Sequence, residues 1–169
     1  MISRYQMLQS RVLAEVGELD RTQAAVRRQW QTSLRVAVDQ DVYINSVALN
    51  LHSFYSGLER IFDLIAVQID GGKLEGHDWH RELLRQMTLD LPGVRPAVLS
   101  RHSAEQLDEL RSFRHLVRNI YAATLIPQRM QPIVEMLPDL WADVRRQLET
   151  FAAYLGTLSR ADEDSPPSV

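Results

Sequence analysis

The chain has no cysteine in its 169 residues, which excludes disulfides, thiol chemistry and cysteine-based zinc sites. No apolar run approaches the length of a membrane span. The first residues, Met1 to Gln6, lack the apolar core of a signal peptide. Together these absences predict a soluble, cytoplasmic protein. The period-two alternation of half-buried strands is missing, as are internal repeats. A formal charge of −3 gives no global pull toward nucleic acid, so any anion site must be a local patch. No phosphate-loop pattern surrounds Gly71-Gly72, and no cofactor is expected. What remains is an ordinary globular composition, 45% hydrophobic and 24% charged. A chain of this length fits one domain and buries roughly 70% of its unfolded surface.

Helical periodicity fills that space. A first segment from about Ser3 to Val38 places Tyr5, Leu8, Val12, Val16, Leu19, Val26, Trp30 and Leu34 on one face. After Asp39-Gln40-Asp41, with Asp41 as a candidate cap, a second helix spans about Val42 to Asp70. Its stripe is Val47, Leu51, Phe54, Leu58, Phe62, Ile65 and Ile69, and Gly71-Gly72 stops it. A short helix follows from Asp78 to Met87, then a proline- and glycine-bearing loop from Leu91 to Pro96. Ser103-Ala104-Glu105-Gln106 reads as a capping box opening a helix that ends near Thr124. The last helix starts near Gln131, with Pro132 in its first turn, and runs to about Leu158. The expected fold is all-α: an antiparallel bundle of four main helices plus one short one. Residues 1–158 form the bundle, and residues 159–169 form an acidic, proline-containing tail expected to be disordered.

The most informative stretch runs from Arg111 to Tyr121. Residues three and four apart share a helix face, so Arg111, Arg114, His115, Arg118 and Asn119 form one polar stripe. Phe113, Leu116, Val117 and Ile120 fall opposite, toward a core. No acidic residue occurs between Leu110 and Val134. A stripe of one sign is a candidate phosphate or RNA surface, because the planar arginine fork gives two hydrogen bonds to phosphate oxygens and stays charged. The plainer alternative is a solvated face, or arginines paired with carboxylates of neighbouring helices.

Arg114-His115-Leu116-Val117-Arg118-Asn119-Ile120-Tyr121 resembles the signature of HEPN domains of the HepT-like group: Arg, a polar residue, three more residues, His, any residue, Tyr. Leu58-Glu59-Arg60-Ile61-Phe62, Trp79-His80-Arg81-Glu82-Leu83-Leu84 and Leu107-Asp108-Glu109-Leu110-Arg111 add context, so the resemblance covers most of residues 45–155. It implies a homodimer with a composite RNA-facing cleft, the toxin half or a toxin relative in a toxin–antitoxin system. The implied partner is a minimal nucleotidyltransferase antitoxin. The implied chemistry is metal-independent endoribonuclease action, in which Arg and His from two protomers meet and the RNA 2′-hydroxyl attacks the adjacent phosphate. Arg114 takes the Arg position and would hold the phosphate, with Arg111 and Arg118 attracting RNA. Asn119 stands where the catalytic His belongs, and an amide cannot move protons as an imidazole does. His115, one turn away, is the neighbouring candidate for the missing base, although a one-turn displacement of about 5 Å is large for proton transfer. The resemblance also makes Tyr121 the residue to which the partner adds AMP; otherwise it is a boundary aromatic. The alternative function is a non-catalytic dimeric module that binds the nucleotidyltransferase or presents substrate to it.

Other groups read as structural. His77 and His80, with Asp78 and Glu82, gather no third ligand cluster, and no metal is expected. His52, Tyr55 and Glu59 share a face of the second helix and suggest a buried polar network, with Glu59 pairing one of the arginines. Trp30, Trp79 and Trp141 occupy apolar-stripe positions as core or interface anchors.

Overall fold

The computed structural model describes residues 2–118 and 127–164, and of residues 115–118 only the backbone. Among the described residues every regular element is helical, apart from one isolated antiparallel bridge between Leu91 and Arg95. The helices are α1 (Arg4–Ser33), α2 (Gln40–Ile65), α3 (Trp79–Met87), α4 (Arg101–Arg118) and α5 (Pro127–Glu163). Among the described residues no helix is long and apolar enough to cross a membrane.

α1 is opened by Ser3, whose hydroxyl accepts from the Tyr5 amide at 3.3 Å. It buries Leu8, Val12, Val16, Leu19, Val26 and Trp30. It ends at Ser33 rather than at the expected Val38, because beyond Trp30 the apolar residues find no core: Leu34 and Val38 are 65% and 74% exposed. Asp41 does not cap α2. The cap position is Asp39, in the left-handed region at φ 60° with no side-chain cap bond, and Asp41 sits in the first turn near the positive end of the helix dipole.

α2 lies at the centre of the bundle, in contact with α1, α3 and α4. α1 side chains press close on it at Gly57, where a Cβ would stand 2.7 Å from Leu19 Cδ2. α2 then widens into a π-helical turn, Ala66–Asp70, closed by Gly71 at φ 98°. α5 packs on α1, and Trp141 fixes that contact: its indole donates to Asp20 at 2.6 Å, and its ring meets Phe54 of α2 edge-on at 5.4 Å.

Two helix starts differ from the sequence reading. Ser103 is not the cap of α4. The helix starts at Arg101, and Ser100 Oγ accepts from the Ser103 amide at 3.1 Å. Gln147 of α5 completes this start, accepting from the Ser100 amide at 2.7 Å and donating to Ser103 Oγ at 2.8 Å. The described part of α5 already begins at Pro127, before the expected Gln131, so Pro132 and Pro138 both lie inside the helix. Burial of Met130, Val134, Leu137 and Leu140 around them offsets the lost backbone bonds. At its other end α5 continues past Leu158 to Glu163.

Candidate functional site

A glutamate in an apolar stripe needs a reason to be there. Glu59 sits on α2 between Leu58 and the pair Ile61-Phe62, and it is buried. An unpaired carboxylate in such surroundings is strongly disfavoured. Here each of its oxygens is taken. Arg114 of α4 donates from Nη1 to Oε1, and the Nδ1 of His80, at the start of α3, meets Oε2. One carboxylate thus ties together three helices.

The three side chains differ in access. Glu59 is 9% exposed, Arg114 18% and His80 27%, so the carboxylate is the most buried of the three and its two partners reach toward the surface. Tyr55, one turn before Glu59, lies beneath Arg114, with the guanidinium carbon 5.9 Å from the ring centroid. Its hydroxyl is buried with no hydrogen-bond partner among the described residues. Burial, then the neighbouring Glu59 charge, pushes the Tyr55 phenol far above its ordinary range, so it stays a neutral donor. Arg114 Nε is likewise buried without a partner among the described residues. His80 is held flat by Trp79, whose ring stacks on it at 3.5 Å between centroids and 29° between planes.

One turn before Arg114, Arg111 donates through Nε to Asp108 at 2.7 Å. A groove of about 500 Å³ runs between α3 and α4, lined by Arg81, Arg85, Arg101, Glu105 and Asp108 with Leu84 and Leu89. Arg85 pairs with Glu82 at 3.6 Å, whereas Arg81 and Arg101 have no ion-pair partner among the described residues.

The residues singled out in the sequence divide into two groups. Arg111 and Arg114 are placed, and both have carboxylate partners: Arg114 pairs with Glu59 of a neighbouring helix, as the plainer reading of the stripe anticipated, whereas Arg111 pairs within α4, with Asp108. His115 directly follows Arg114 and Arg118 is one turn beyond it, both on the described backbone of α4, but their side chains lie outside the described residues. Asn119 and Tyr121 lie outside them altogether. The expected pairing of Glu59 with an arginine is present, and the arginine is the first residue of the motif. Of the candidate metal cluster, His80 turns to Glu59, Asp78 occupies the position before α3, and Glu82 meets Arg85.

Sequence reading missed His80 as a member of this site. His80 is far from Arg114 along the chain, and only the folding of α3 across α2 brings them onto one carboxylate. The available signal was Glu59 itself, a charge in a buried stripe with room for two partners.

A family model described as HepT-like protein matches residues 46–155, from the first half of α2 to near the end of α5. The chain belongs to the HepT-like family. The matched span contains Glu59, His80 and Arg114, while α1 lies before it. No curated protein and no solved structure matches the chain.

Proposed function

We propose that this HepT-like protein is the toxin half of a toxin–antitoxin pair, acting on RNA as a homodimer with a minimal nucleotidyltransferase as its partner. Arg114 receives the phosphate, Arg111 and Arg118 draw the strand in, and Asn119 stands beside the phosphate as a hydrogen-bonding group in place of the family's histidine. Tyr121 is the residue the partner modifies with AMP. The observation that carries this reading is the setting of Arg114. Glu59 occupies one nitrogen of its guanidinium and fixes its direction, while the side chain stays 18% exposed with no second carboxylate partner among the described residues. The α3–α4 groove, with Arg81 and Arg101 unpaired among the described residues, supports a backbone track leading to it.

The test is Arg114→Ala, assayed for RNA binding and for growth arrest on expression in bacteria. Loss of both is expected, together with wild-type binding that falls steeply with salt. Retention of both overturns the assignment of the site.

A second reading, the non-catalytic interaction module, draws support from the same ion pairs. With Arg111 on Asp108 and Arg114 on Glu59, much of the ridge's charge is already met within the protomer. Harmless expression without RNA fragmentation, combined with stable capture of the nucleotidyltransferase, favours this reading.

A further inference from the structure

We propose that His80 is the proton-transfer group of this site, supplying from α3 the base that Asn119, standing in the sequence where the family has histidine, cannot supply. The inference rests on the RNA-directed reading above and adds a residue to it.

Three observations carry it. First, the imidazole is oriented. Its Nδ1 meets Glu59 Oε2, and its ring is stacked on Trp79. A carboxylate at Nδ1 selects the tautomer that carries the proton there, leaving Nε2 with a free lone pair. Second, Nε2 is available. It makes no hydrogen bond among the described residues and is not one of the buried unpartnered atoms. Third, His80 and Arg114 hang from the two oxygens of a single carboxylate, so the base and the phosphate-binding guanidinium are set side by side. A phosphate on the free edge of Arg114 brings the adjoining ribose toward the imidazole. Among the described residues Glu59 from α2 meets the ring and holds Arg114 of α4 on its other oxygen; on α3 its neighbours are the stacked, neutral Trp79 and the cationic Arg81 of the adjoining groove.

The step is a transesterification. His80 Nε2 takes the proton of the ribose 2′-hydroxyl, and the O2′ electron pair forms a bond to the adjacent phosphorus. The bond from phosphorus to the 5′-oxygen breaks with its electron pair on that oxygen, which takes a proton from water. The hydroxide so formed recovers the proton from His80. The products are a 2′,3′-cyclic phosphate end and a 5′-hydroxyl end, with no metal or redox partner required.

The test uses the full chain with single-stranded RNA in the presence of chelator, measuring binding and cleavage separately. His80→Gln keeps a donor for Glu59 and guards against misfolding; His80→Ala opens space for an added base. Both are expected to bind RNA within about twofold of wild type and to cleave at least about 100-fold more slowly, the usual contribution of a general base. Free imidazole is expected to restore cleavage in His80→Ala but not in Arg114→Ala. A merely structural histidine would not respond to imidazole. Cleavage at the wild-type rate in His80→Gln overturns the proposal, as does wild-type protein that binds RNA without cutting it. In both outcomes the RNA-binding role of Arg114 stands, since its own test is the loss of binding in Arg114→Ala.

Discussion

Arg95 and Arg114 both lean on a carboxylate supplied by the second helix or its extension, and their surroundings differ in almost every other respect. Arg95 is completely buried and grips Asp70 with two bonds, from Nε at 2.6 Å and from Nη2 at 2.7 Å. Its other donors reach the carbonyls of Leu89, Pro96 and Gln86, each at 3.1 Å. Asp70 also accepts from the Gln86 side chain at 2.6 Å. All five guanidinium donors are satisfied, so nothing is left for a ligand. Arg114 makes one hydrogen bond, to Glu59, keeps a buried Nε unpartnered among the described residues, and is 18% exposed, its carboxylate shared with a partly exposed histidine. The first arrangement closes a loop onto the bundle. The second holds a charge in place without using it up.

This contrast can be broken at several strengths. Arg95→Ala is the severest change, because it leaves Asp70 buried and uncompensated. A loss of about 3–5 kcal/mol is expected, seen in thermal unfolding as a fall of roughly 10 °C. A midpoint within a degree of wild type would mean the centre is not a structural lock. Tyr55→Phe sharpens the comparison from the other side. Removing a buried hydroxyl with no partner among the described residues should raise stability by about 1 kcal/mol. A destabilised variant would show that this hydroxyl is satisfied in solution. Smallest of all is Arg21→Ala, which breaks the exposed pair with Glu18 on α1. Its effect should stay below about 0.5 kcal/mol by chemical denaturation, as for solvated pairs generally.

The two centres also differ in how legible they were from the amino-acid order. Helix content and the apolar faces of α1, α2 and α5 follow from spacing alone, because those faces are long and regular. The Glu59–arginine pair was legible for a related reason: a carboxylate inside an apolar stripe must find a cation. Arg95 carried no such sign. It lies in a loop beside Pro96, and its burial depends on the π-helical turn that delivers Asp70, which no periodicity announces. The start of α4 was misplaced because Ser100 and Ser103 are both good capping residues. The choice between them is made by Gln147, reaching over from α5. His80 was discounted because its role exists only between helices.

That reach of Gln147 has a mechanical consequence. The described part of α4 has 18 residues, a rod of about 27 Å, and it is riveted at its beginning to α5. Arg114 rides far along this rod, beyond the buried Leu107, Leu110 and Phe113, and its own side chain is clasped by one carboxylate. Whatever competes for that carboxylate therefore acts at the long arm of a lever whose fulcrum is already fixed.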